Sequence, residues 1–193
     1  MSTASEWFRP ASPRVAADDL FLVRARTLAP ALLAPLVEPR DTGARPARWI
    51  GDEPGVVLTV DVPGCDPEHL RLQVTFAAGR LSGRWVDGLP LSEHGAEAGP
   101  DLLVADVAAG QDAGAADLAL HWLSGQLTRP VREERWVGWR GTIASRLVMA
   151  DTGSVLLERG GRVIRRHAEP TQVLQVRPCV PVEHLPGGRP GQA

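Results

Sequence analysis

The chain has no lysine, no asparagine and no tyrosine among its 193 residues. All three have AT-rich codons, so their joint absence reads as a GC-rich bacterial genome. The basic set is therefore arginine throughout, and its abundance alone does not argue for phosphate binding, although a guanidinium suits that task. Cysteine is equally scarce. Cys65 and Cys179 lie beside Gly64 and Pro178, and neither belongs to a CxxC; two cysteines could form one disulfide only in an oxidising compartment. The opening MSTASEWFRPASPR lacks the apolar core of a secretory signal, so a cytoplasmic protein with inert thiols is expected. Long apolar runs are missing too. The longest, within Leu28–Val37, is broken by Pro30 and Pro35 and falls short of the roughly 20 residues of a membrane span. No GxSxG, HExxH, P-loop or GxGxxG is present, which removes the common hydrolase, metalloprotease and nucleotide-binding frames.

What is present is the composition of an ordinary soluble globular domain, 44% hydrophobic and 23% charged. The net charge of −2 conceals an asymmetry. Residues 1–128 hold ten arginines against seventeen acids, a net of −7, and residues 129–193 hold eleven against six, a net of +5. Such a dipolar chain can steer a charged partner, or simply carry two solvated faces of opposite sign.

Residues 1–15, polar and proline-containing, read as a disordered segment, 16–177 as one domain with possible halves 47–110 and 111–177, and the Pro/Gly-rich 178–193 as a flexible tail. A first helix is expected from Asp18 or Asp19, with Leu20, Val23 and Thr27 sharing a face at helical spacing, until Pro30 kinks or ends it. Pro39–Pro46 reads as a linker. The alternation of Val56, Leu58, Val60 and Val62, and of Leu70, Leu72, Val74 and Phe76, predicts antiparallel strands with one buried face. A turn at Ala77-Ala78-Gly79 leads to a partner strand, Arg80–Val86. Gly88–Pro100 reads as an acidic loop and Leu102–Val107 as a short strand. Asp112–Leu127 is an amphipathic helix with Ala116, Ala119, Leu120, Leu123 and Leu127 on one face, stopped by Pro130. A second strand group follows: Val131–Arg140, Thr142–Met149, Ser154–Glu158, Arg162–Arg166 after a Gly160-Gly161 hairpin, and Thr171–Val176. The fold class is α+β, with antiparallel sheet from two strand groups separated by the amphipathic helix and a second, N-terminal helix. Arg84-Trp85-Val86 and Arg135-Trp136-Val137 hint at a duplication.

Four constellations bear on chemistry. Val148–Ser154 resembles the Asp-Thr-Gly segment of aspartic proteases over seven residues, with a second copy at Asp41-Thr42-Gly43. The resemblance implies paired carboxylates sharing a proton to activate water, with Asp151 as the catalytic candidate. Asp41, however, follows Glu38-Pro39-Arg40 and not an apolar strand, and no later apolar-apolar-Gly segment appears. The motif therefore reads first as a hairpin turn. Asp61, Cys65, Asp66, Glu68 and His69 cluster around Gly64 but match no metal-ligand spacing. The five histidines, including His121 beside Trp122, form no triad order. No metal or cofactor is expected.

The fourth is a basic-aromatic run: Arg129, Arg132, Arg135, Trp136, Trp139, Arg140 and Arg146. On a strand Arg132, Trp136 and Arg140 point one way, and Arg135 and Trp139 the other. Arginine and tryptophan dominate interface hot spots. The expectation is a non-enzymatic adaptor, accessory or immunity-like protein that contacts a protein partner through Arg132, Arg135, Trp136, Trp139, Arg140 and Arg146. The alternatives are a nucleic-acid-associated regulator using the basic half, and a hydrolase using Asp151.

Overall fold

The computed structural model describes residues 3–10, 19–47, 55–63, 70–86, 101–166 and 169–177. The loop at Gly88–Pro100, Cys65 to His69, Cys179 and the tail from 178 lie outside them. The fold is α+β with two antiparallel sheets, and an amphipathic helix joins the two strand groups.

The first sheet is a meander of β1 (Thr42–Pro46), β2 (Gly55–Asp61), β3 (Arg71–Ala77), β4 (Arg80–Val86) and β5 (Leu103–Asp106), in that spatial order. Alternation sets its faces. Leu58 and Val60, with Leu72 and Val74 opposite them, point inward and are fully buried, while Thr59, Gln73, Thr75 and Ser82 line the other face. The β3–β4 turn carries Ala78 at φ 52° and Gly79 at φ 68°, the positive pair that a tight hairpin matching strand twist demands.

Helices α1 (Leu20–Leu32) and α2 (Asp112–Thr128) pack on each other and cover the inner face. The Asp19 carboxylate caps α1 by accepting from the Leu22 amide. The buried side of α1, however, is Phe21, Leu22, Ala25 and Ala29, and Leu20 and Val23 are exposed. Phe21 stacks on Phe76 of β3 with centroids 4.8 Å apart, and this contact selects the face. Pro30 lies inside α1, which continues past it to Leu32. The predicted face of α2 is the observed one: Ala116, Ala119, Leu120, Leu123 and Leu127 are all fully buried. Arg24 of α1 and Asp117 of α2 form a two-bond ion pair at 2.7 and 3.1 Å. That bond holds the Asp117 carboxyl below its ordinary range.

Two segments read as loose are packed. Residues 3–10, assigned to a disordered segment, bring Trp7 and Phe8 into the core with no exposed surface. Phe8 sits at φ 47°, a conformation rare for a bulky residue. It is held there from both sides: its amide donates to Thr42 Oγ1 and its carbonyl accepts from Arg26. Pro39–Pro46, read as a linker, is a 3-10 turn (Pro39–Asp41) followed by β1. Pro46 is tolerated because β1 is an edge strand.

The second sheet has the order β8-β7-β6-β9, from β6 (Val131–Gly138), β7 (Gly141–Met149), β8 (Val155–Arg159) and β9 (Gln172–Arg177). Arg162–Arg166, expected as a strand, belongs instead to helix α3 (Gly161–Arg166). Gly160, at φ 77°, turns the chain across the sheet face, where Ile164 and Val163 pack on Trp136 and Ala144. The last strand therefore pairs with β6 and not with β8. The two sheets differ in strand number and order, so the recurring Arg-Trp-Val does not mark a repeated topology. No helix among the described residues is long and apolar enough to cross a membrane.

Candidate interaction surface

The basic-aromatic run divides among four places, with Arg129 standing apart beside the β7–β8 turn. On one face of β6, Arg132, Glu134 and Trp136 alternate as the strand dictates, opposite Val148, Arg146 and Ala144 of β7. Glu134 is buried and accepts from both cations: Arg132 Nη2 lies 2.8 Å from Oε1, and Arg146 Nε donates to Oε2. The Arg146 guanidinium lies over the Trp136 ring at 5.4 Å, and Trp136 is itself only 2% exposed. This face is an internal cluster in which a buried carboxylate is compensated by two guanidinium groups. On the opposite face Arg135 pairs with Glu133 at 2.7 Å. The two glutamates that interrupt the basic run in sequence are thus its counter-ions in space.

The third place is the tip of the β6–β7 hairpin. β6 ends at Gly138, so Trp139 and Arg140 form the turn and leave the strand alternation. Arg140, expected beside Trp136, instead stacks on Trp139 at 4.1 Å from the ring centroid. Trp139 is 87% exposed, and Ile143, the next apolar side chain on β7, is 51% exposed. Ile143 sits against Gly138, where an added Cβ would lie 3.4 Å from its Cγ2. Ile143 had no signal in the sequence beyond being apolar near a turn.

Asp151 occupies the β7–β8 turn that its sequence suggests. Gly153 has φ 74° and donates its amide to the Met149 carbonyl. The Asp151 carboxylate meets Arg129, whose Nε and Nη2 donate to it at 2.8 and 3.0 Å. The same guanidinium donates to Asp101, to Gln126 Oε1 and to Thr152 Oγ1. Gln126 also accepts from the Trp85 indole at 3.0 Å. Arg129 thereby joins the end of α2, β4, residue 101 and the turn of the second sheet. Its hydrogen bond holds the Asp151 carboxyl below the usual carboxylate range, while the Arg129 guanidinium is raised further above its own. Two carboxylates do meet here, but a cation stands where a catalytic dyad would share a proton. Asp41 is elsewhere, in the 3-10 turn before β1, accepting from the Glu38 amide.

Among the described residues no group of three or more His, Cys, Asp or Glu side chains could hold a metal ion. Asp61 pairs with Arg71, and the other members of its sequence cluster lie outside the described residues. His121 Nδ1 is 2.7 Å from the Asp117 carbonyl, within its own helix. Comparison with protein families, with curated proteins and with solved structures finds no match.

Proposed function

We propose that the chain is a non-enzymatic binding protein, an adaptor or accessory factor, that contacts a protein partner at the tip of the β6–β7 hairpin. Trp139 is the anchor, with Arg140 and Ile143 beside it. One observation carries the reading: a tryptophan left 87% exposed with an arginine stacked on its ring. Leaving an indole in water forgoes a large apolar burial, and tryptophan with arginine is the pairing richest in interface hot spots. The surface is smaller than the six-residue run suggests, because Arg132, Arg135 and Arg146 are each paired with a glutamate.

The same pairing weakens the alternative of a nucleic-acid-associated regulator, since those guanidinium groups are neutralised within the chain. The hydrolase reading requires a free or proton-sharing carboxylate, and Asp151 is engaged by Arg129.

The test is affinity capture from the native host after nuclease treatment, comparing the wild type with Trp139→Ala and with Leu118→Ala, an exposed α2 control. The expected result is a stoichiometric protein retained by the wild type and the control. Trp139→Ala should bind it about 30-fold more weakly or worse, with the circular dichroism spectrum unchanged. Equal retention by Trp139→Ala removes the hairpin tip as the contact. Nucleic acid that leaves with rising salt would favour the alternative.

A further inference from the structure

Residues 3–10 are held by the molecule without belonging to either sheet or to the helix pair. They form one 3-10 turn, Ala4–Glu6, that packs on α1, followed by a short stretch that reaches the outer edge of β1 at Ala44. On its other side β1 pairs with β2 from Thr42 to Pro46, so no strand pairing of the sheet depends on this arm. Among the described residues three hydrogen bonds join the arm to the body, and on the arm each ends at a backbone atom. The Phe8 amide donates to Thr42 Oγ1, the Phe8 carbonyl accepts from Arg26 Nη2, and the Arg9 carbonyl accepts from the Ala44 amide. Trp7 and Phe8 enter the core without exposed surface, while Thr3, Ser5, Arg9 and Pro10 remain exposed. Backbone bonds at an edge strand, with pockets for a few apolar side chains, are a common means of holding an extended peptide.

The arm fits imperfectly, in ways that oppose its closure. Phe8 takes φ 47°, a costly conformation for a bulky residue. Among the described residues the Trp7 indole N–H and the Arg26 Nε meet no acceptor, although both atoms are buried, and an orphaned buried donor carries a desolvation cost. Burial of two aromatic side chains draws the arm in, and strain and orphaned donors push it out. We infer that the arm is a releasable intramolecular ligand, and that the groove it leaves between α1 and β1 takes an extended segment of a partner protein carrying two adjacent aromatic residues. What fills the groove in this structure defines that occupant. The backbone-directed bonds accept any sequence, and the two buried side chains set the requirement for adjacent aromatics. The orphaned donors favour a segment that brings acceptors to them. The arm competes with such a segment from within the chain and so inhibits its binding. The groove belongs to the first sheet, and the inference stands apart from the hairpin tip.

The experiment is a titration of the full chain into a labelled synthetic peptide with the sequence of residues 1–14. The wild type should bind it weakly, because the arm occupies the groove at the high effective concentration of a tethered group. A full chain carrying Trp7→Ser and Phe8→Ser has its own arm disabled and should bind the peptide at least about tenfold more tightly than the wild type. A peptide with both aromatics changed to serine should bind neither form. Thr42→Val, added to the disabled arm, should weaken binding, and Leu118→Ala, at an exposed position of α2, should not. Equal binding by the wild type and the disabled form, or binding of the serine peptide, overturns the inference. Should the disabled form not fold, native-state hydrogen exchange on the wild type decides. The amides of Phe8 and Ala44 lose their partners when the arm leaves, and should exchange at least about tenfold faster than those of Leu58 and Val60. One common rate would mean that the arm leaves only when the molecule unfolds, and overturns the inference. Dimerisation of the wild type that the two serine changes abolish would make a second copy's arm the occupant, and overturns the assignment to a partner protein.

Discussion

At the scale of single residues, Arg129 is the position on which most depends. It is 17% exposed and serves Asp101, at 14%, and Asp151, at 39%. Removing the cation strands one largely buried carboxylate and leaves another half-solvated, so Arg129→Ala should cost about 3 kcal/mol in urea unfolding. Asp151→Asn should cost less, about 1 kcal/mol, because water already screens that carboxylate. Its pH dependence has a definite sign. The folded carboxyl titrates below its ordinary value because Arg129 bonds the anion. The unfolded chain therefore binds the proton first, and the pair's contribution is complete above an unfolded value of about 3.9. It is lost as pH falls through the lower folded value. Wild-type stability should decline more steeply with acid than that of Asp151→Asn, and parallel curves would show that the pair contributes nothing. Asp151 itself was legible in the sequence as a turn residue, and Gly153 as its positive-φ companion. Arg129 was legible only as one cation in a run. Its role depends on Asp101 and Asp151 arriving from either side of α2 and β6, and local spacing does not carry that information.

At the scale of elements, regular alternation and long amphipathic periods were readable, and short or composite segments were not. β3 alternates without a break and α2 repeats its apolar face over four turns, so each has one solution. The first helix has two stripes at helical spacing. Leu20, Val23 and Thr27 form one, while Phe21, Leu22, Ala25 and Ala29 form the other, which is buried. Alanines give little hydrophobic signal, and the deciding contact, Phe21 on Phe76, joins α1 to a strand far along the chain. α3 is six residues long, too short for a period of 3.6 to be told from a period of two, and Gly160-Gly161 imitates a hairpin. Gly160 is what sends this segment across the sheet. An added Cβ would lie 2.8 Å from Ala144 Cβ and 2.9 Å from the Ile143 carbonyl, whereas at Gly153, also at positive φ, it would meet nothing within 4 Å. Gly153→Ala should therefore cost only the backbone strain, about 1 kcal/mol. Gly160→Ala should add a clash and reach about 2–3 kcal/mol. Equal losses in denaturant titration would mean that α3 is not pressed against β7 as described.

At the scale of the whole molecule, the two sheets are unequally supported. The first, with α1, α2, Trp7 and Phe8, encloses one large apolar core, to which the second contributes mainly Val131 and Met149 at the end nearest α2. Beyond that end, among the described residues, the second sheet has a small cluster of Trp136, Ala144 and Ile164 buried together, beside the charged cluster around Glu134. A sheet with so small a core of its own, tied to the rest through Arg129, the buried Val131 and Met149 and the partly buried Leu147, Leu156 and Val176, is expected to open as a unit before the molecule unfolds. Native-state hydrogen exchange should find the amides of β6 to β9 exchanging together at a free energy below that of β2, β3 and α2. Trp136→Ala removes most of the small core, and a large-to-small change of this kind costs about 3–5 kcal/mol. It should lower the first group and leave the second nearly unchanged, whereas Leu58→Ala should lower both. A single opening energy for all strands would mean that the small cluster and the Arg129 junction couple the sheets more tightly than their buried contacts suggest. The unequal support also bears on binding. The exposed tip at Trp139 belongs to the weaker sheet, so a partner docking there would bind the closed form. Docking should slow exchange in β6 to β9 while the already stable first sheet gains little. Protection that rose equally in both sheets would place the contact elsewhere on the molecule.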